Sequence, residues 1–132
     1  MTRMLSWPKG PGLAPFDGRS AAADVFDMLL EVDRRHPELP IILGHGMGED
    51  GVELAQKTRN VYVELSGSYP ETGAVRSAID RAGADRIVFG ADQDVIVPAF
   101  AMGIYYEASM SHEEDQKVMA GNARRILRMP AN

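Results

Sequence analysis

The run Pro40-Ile-Ile-Leu-Gly-His-Gly-Met-Gly48 limits this chain's fold more than any other stretch. Three consecutive β-favouring aliphatic residues after a proline describe a strand buried on both faces, and such strands belong to parallel sheets covered by helices. Parallel sheets of this kind bind ligands beyond the carboxyl ends of their strands, which is where His45 falls. Gly44, Gly46 and Gly48 allow a sharp turn there and the close approach of another group. The imidazole has two readings at such a place: a group facing a ligand, or a hydrogen-bonded side chain filling the strand end.

A second apolar run, Asp85-Arg-Ile-Val-Phe-Gly-Ala-Asp92, ends in the same manner with a carboxylate. Two parallel strands ending in His45 and Asp92 bring an imidazole and a carboxylate to one edge of the sheet. Asp94, two residues on, is assigned the lesser role of capping the next helix. Between the two runs, Asn60 to Ser66 alternates Val61, Val63 and Leu65 with Tyr62, Glu64 and Ser66, the period of a strand with one aliphatic face. Glu64 has two readings: it points into the site, or it is solvated or salt-bridged.

Helical spacing separates these strands. Val25, Met28, Leu29 and Val32 predict a helix from an N-cap at Ser20 to Arg34, stopped by His36-Pro37. His36 at that polar end is read as solvated, and Glu49 to Arg59 predicts a short helix. Ser68-Tyr-Pro-Glu71 has capping-box spacing for a helix through Val75, Ala78, Ile79 and Ala82, which Gly83 closes. A packed apolar helix is expected over Pro98 to Met110. A second capping box, Ser111-His-Glu-Glu114, makes His112 a first-turn surface residue. The last helix turns Val118, Met119, Ala123, Ile126 and Leu127 inward, with Asn122 as an interruption. Residues 1–19 read as an irregular segment rich in proline and glycine, with a trace of strand from Met4 to Trp7.

A chain of 132 residues with 45% hydrophobic content holds one core and not two. Its net charge of −5, with 14 basic residues dispersed, argues against nucleic acid as a partner. The absence of cysteine excludes disulfides, thiolate metal sites and a thiol nucleophile, so a metal would need His, Asp, Glu or water. No apolar run approaches the roughly 18 residues of a membrane span, and no signal-peptide core is seen, so no membrane association and a cytoplasmic location are expected.

Four blocks, Glu38 to Gly46, Asn60 to Gly67, Asp85 to Asp92 and Gly121-Asn-Ala-Arg-Arg-Ile-Leu127, together resemble the carboxyl-terminal part of the amidohydrolase-related family of metal-dependent TIM-barrel hydrolases and decarboxylases. The resemblance implies an α/β fold: a partial (β/α)8 TIM-barrel-like unit over residues 20–132, with about three parallel strands and flanking helices standing for strands six to eight of a barrel. It implies that His45 is the catalytic histidine ending strand six, beside the metal, and that Asp92 is the metal ligand and proton acceptor ending strand eight. The cofactor implied is a divalent metal, with zinc the first expectation. The sequence departs from the family in lacking a His-x-His pair, in having Met4 where the strand-five histidine is sought, and in placing Ala91 and Gln93-Asp94 around Asp92. A whole barrel takes roughly 250 residues.

The activity implied is water attack on a small carboxylate, lactone or amide by a metal-dependent hydrolase, or a related decarboxylation. The alternative is a non-catalytic truncated fragment or a partner-dependent α/β module in which His45 and Asp92 only bond to each other. A phosphate-binding domain is the weakest alternative, because the glycine spacing fits neither a Walker loop nor a dinucleotide fingerprint. A catalytic zinc usually takes about three protein ligands, so Glu64 or Asp94 would have to join His45 and Asp92. Open sheet edges predict a homo-oligomer.

Overall fold

The computed structural model describes residues 3–5, 21–46, 49–67, 72–94 and 96–130. Four parallel strands form one sheet in the order in which they occur in the chain: β1 (Arg3–Leu5), β2 (Ile41–Leu43), β3 (Val61–Glu64) and β4 (Ile87–Val88). Strand neighbours in chain order, without a reversal, are what a barrel segment has and what a doubly wound sheet lacks. The expected α/β architecture of parallel strands with flanking helices is therefore observed, with one strand more than the three expected and with β2 only half-buried at Ile42 and Leu43. The trace of strand near Met4 is β1, paired with β2 from Arg3↔Ile41 to Leu5↔Leu43. The expected Ser20 cap and most of the irregular segment lie outside the described residues.

Helices cross between successive strands: α1 (Ala21–Arg35), α2 (Glu49–Lys57) and α3 (Ala74–Ala82). After β4 come α4 (Pro98–Glu107), α5 (His112–Gln116), a π-helical turn over Lys117–Gly121 and α6 (Asn122–Ile126). Two of the helix boundaries follow their local signals. Gly83 closes α3 at φ 86°, a positive value that glycine adopts without a side-chain clash. Ser111 and Glu114 form a reciprocal capping box on α5, with His112 exposed in the first turn.

Other boundaries differ from the sequence reading. The Ser68–Glu71 box falls outside the described residues, and α3 begins after Gly73 with no side-chain cap. Asp94 does not cap α4, whose N-cap is Val97 and whose first residue is Pro98. That helix is packed on one side only: Ala101 and Tyr105 are buried while Phe100 and Tyr106 are exposed. Leu127 is exposed too, since α6 ends at Ile126 and Leu127 is its C-cap.

Strand pairing sorts the residues onto two faces. Val61, Val63 and Ile87 face the helices: Val63 and Ile87 pack with Val52, Val75, Ile79, Tyr105 and Val118, while Val61 packs with Leu29, Ile41 and Leu54. Ile42, Tyr62, Glu64 and Val88 share the other face, where Tyr62, Val88 and Ile126 form a smaller cluster. The face expected to be polar is thus buried as well, as a strand interior to a parallel sheet requires.

At the amino-terminal end of the strands, the Arg86 guanidinium donates to the carbonyls of Val61 (3.0 Å), Arg59, Ala55 (3.0 Å) and Thr58 (2.8 Å). Asp33 accepts from the backbone N–H groups of Arg59 and Asn60, each at 2.9 Å. Asn122 is buried and is not an interruption: its amide donates to the carbonyls of Ala84 (2.7 Å) and Ile87 (2.8 Å), pinning the last helix to β4.

Candidate functional site

The carboxyl-terminal end of the sheet carries the residues singled out from the sequence. Past Leu43 the chain turns at His45, which itself takes the left-handed conformation at φ 58°. Gly44 and Gly46 on either side do not supply that conformation. Gly46 serves close approach instead, since a Cβ there would lie 2.7 Å from Val63 Cγ1. Its N–H donates to the Glu64 carbonyl at 2.9 Å, so β2 stays joined to β3 beyond the turn. Asp92, beyond the end of β4, is left-handed as well, at φ 46°. Histidine and aspartate tolerate this region better than most side chains, at a cost of about 1–2 kcal/mol each. Strain of this kind gathers at functional sites.

The two turns bring His45 Nε2 to 3.3 Å from Asp92 Oδ2. The imidazole side chain is 56% exposed and that of Asp92 21%. The expected pair is therefore together, and open to solvent on the imidazole side. Asp94 is exposed and is not placed with them.

Glu64 is not solvated, and among the described residues no lysine or arginine pairs with it, contrary to the plainer reading of the sequence. It is buried. Its Oε2 accepts from the His45 backbone N–H (3.3 Å) and from the Ser66 hydroxyl (2.8 Å), while Oε1 accepts from the Ser66 N–H (2.5 Å). The His45 ring also approaches this group, with Nδ1 3.5 Å from Ser66 Oγ and 3.9 Å from Glu64 Oε2. Gly90 makes the seat possible, because a Cβ there would lie 2.2 Å from Glu64 Oε1.

Tyr105 closes the site from below. Its buried hydroxyl accepts from the Leu65 N–H at 3.3 Å and donates to the Val88 carbonyl at 3.2 Å, bridging β3 and β4 at the end of their pairing. Burial, reinforced by the nearby Glu64 charge, pushes the phenol's pKa well above its ordinary value, so the hydroxyl keeps its proton. Neither Tyr105 nor Gly90 stood out in the sequence. The available signals were an aromatic residue in an apolar helix and a glycine at a strand end, both common in cores.

An imidazole nitrogen and a carboxylate oxygen are donors that zinc and manganese both accept, so the pair fits a divalent ion in kind. In number they fall short of the usual set of about three. Among the described residues, no group of three His, Asp or Glu side chains is arranged to hold a metal. The buried Glu64 carboxylate is already committed to protein donors.

Comparison with known proteins bears on this geometry. Residues 10–129 match the family model described as amidohydrolase. No curated protein matches the sequence. Among solved structures, the fold resembles 2,6-dihydroxybenzoate decarboxylase from Rhizobium, at 22% identity and TM-score 0.65, over 82% of this chain and 41% of that one. It also resembles a dihydroxybenzoic acid decarboxylase from Polaromonas sp. JS666 with bound manganese and the inhibitor 2-nitroresorcinol, at 23% identity and TM-score 0.65, covering 84% and 40%. A third is 5-carboxyvanillate decarboxylase from Sphingomonas paucimobilis, at 21% identity and TM-score 0.65, covering 83% and 40%. The chain thus spans about two fifths of the length of these proteins. No helix of the described residues is long and apolar enough to cross a membrane.

Proposed function

The chain belongs to the amidohydrolase family, and on that premise we propose that His45 and Asp92 are its contribution to a divalent-metal site acting on a small carboxylate, lactone or amide, by hydrolysis or by non-oxidative decarboxylation. The observation that carries the reading is the convergence of His45 Nε2 and Asp92 Oδ2 at the carboxyl edge of a parallel sheet, both on left-handed residues. The decarboxylases among the structural relatives support a small organic acid as substrate, and the manganese in one of them supports a divalent ion, with zinc the other candidate.

A divalent ion bound at this pair would supply Lewis acidity, polarising a carbonyl or carboxylate and making water more acidic. The chain's own residues do the rest. Asp92 offers a carboxylate oxygen as ligand or proton acceptor. The exposed His45 ring offers Nε2 as a second ligand or, where Asp92 holds the ion without it, as the group that takes or delivers a proton, while its Nδ1 side is oriented by Ser66 and Glu64. Tyr105, holding its proton, keeps the ends of the two strands joined.

The two-donor count favours a second reading beside this one: a partner-dependent module whose site is completed by groups other than the described residues. One experiment weighs both. Manganese and zinc binding by calorimetry on the full chain is expected to show one site per chain, weakened at least tenfold in His45→Ala and in Asp92→Ala. A screen of phenolic carboxylates, lactones and amides then assigns the reaction. A folded wild type that binds neither ion removes independent metal chemistry and leaves the partner-dependent module.

A further inference from the structure

Resting on that reading of the site, we infer that Glu64 is a positioning residue: its buried carboxylate holds His45 in the left-handed turn that brings the ring to Asp92. Three observations meet at this one side chain. Both carboxylate oxygens accept backbone N–H groups, Oε1 from Ser66 and Oε2 from His45, so the side chain fastens the turn after β2 to the end of β3. The Ser66 hydroxyl adds a third donor at 2.8 Å. Across the sheet, Gly90 leaves open the space that the carboxylate fills, and Gly90 lies two residues before Asp92. The same carboxylate therefore sets the spacing between the strand that leads to His45 and the strand that leads to Asp92.

A left-handed histidine persists only where its surroundings hold it. The Gly46 N–H bond to the Glu64 carbonyl fixes the residue after the turn, and the Glu64 carboxylate fixes the turn itself. Glutamine, although isosteric, cannot take over. Its amide places an NH2 at one of two positions that both face a backbone N–H, leaving two donors opposed at Ser66 or at His45. The His45 side is the cheaper one to release, since the Ser66 hydroxyl next to it can rotate and accept.

The test uses the isotope-labelled full chain without metal. The HN–Hα coupling and backbone shifts of His45 report its φ, and the amides of Leu29 and Val61 report the distant core. In Glu64→Gln the left-handed signature of His45 is expected to be lost while the Leu29 and Val61 amides stay in place. Gly90→Ala, which displaces the carboxylate but keeps its charge, is expected to act in the same way. An unchanged His45 in either folded variant overturns the inference, and so does failure of both variants to fold, which would make Glu64 a general stability residue.

Adding Mn2+ separates this from the functional reading. Paramagnetic broadening at His45 and Asp92 is expected in the wild type, at an apparent affinity at least about tenfold higher than in Glu64→Gln. A wild type with the turn but without broadening removes the metal reading and leaves the positioning role standing. Broadening of equal affinity in both proteins, with the turn intact in the variant, removes the positioning role alone.

Discussion

The two ends of the sheet use polar residues in opposite ways. At the amino-terminal end, Arg86, Asp33 and Asn122 direct their side chains to backbone carbonyls and N–H groups, and so tie α1, α2 and α6 to the strands. At the carboxyl-terminal end the buried Glu64 and Tyr105 do this. His45 and Asp92 meet each other instead, on strained backbone, with the imidazole open to solvent. One end spends its hydrogen-bonding capacity on the fold, while the other leaves part of it available. In barrel enzymes that is the division between a stability face and a reactive face.

Arg86→Met gives the largest expected effect and the most direct way to break the comparison. Methionine keeps the stem but leaves the carbonyls of Val61, Arg59, Ala55 and Thr58 without the donor they share. Partial burial disfavours the Arg86 charge and lowers its pKa, so these bonds already offset a desolvation cost. Loss of the side chain should cost about 3 kcal/mol or more. Urea unfolding is expected to show a lower midpoint at an unchanged slope, with the His45 turn intact in the protein that remains folded. A midpoint near that of the wild type would mean that the amino-terminal network is no firmer than the site.

The pairing of His45 with Asp92 was legible in the sequence because it depends on local facts: an apolar run, its end, and the rule that parallel strands end together. The capping box at Ser111 and the stop at Gly83 were legible for the same reason. What could not be read depends on partners distant in the chain. Alternation along Asn60 to Ser66 placed Glu64 correctly on the face of Tyr62, but whether that face is wet depends on α6 and on the missing side chain of Gly90. Asn122 looked like a break in a helix because its carbonyl partners at Ala84 and Ile87 belong to another element. The glycines around His45 announced a sharp turn, but the left-handed residue in it is His45 itself, where the bond to Glu64 outweighs residue preference.

His45→Gly sharpens the comparison through a smaller effect of opposite sign. Glycine relieves the positive φ, and the greater freedom of the unfolded chain cancels part of that gain. The expected net change is a stabilisation of about 0.5–1 kcal/mol, read as a melting temperature raised by about 2–5 °C. Metal binding at the pair should be abolished in the same protein. A loss of stability would show that the imidazole serves the fold as Arg86 does, and the distinction between the two ends would fail.

The smallest effect comes from acid, and it acts on the helical layer. Glu114 is held at a pKa of about 2, from an ordinary 4.5, first by its bonds to Arg76 on α3 and then by the Ser111 N–H. A carboxylate whose pKa is depressed on folding contributes stability that is fully present above the unfolded value and is lost as pH falls through the folded one. The contribution therefore fades between about pH 4.5 and pH 2. Arg76 stays charged throughout, so only the carboxylate titrates in that window. Because Glu114 lies near the surface, the screened effect is modest. Denaturant midpoints measured across the window should fall less steeply in Glu114→Gln than in the wild type, with the two proteins converging near pH 2. Parallel profiles would place the acid-sensitive carboxylates elsewhere, with those at the two ends of the sheet the next to replace.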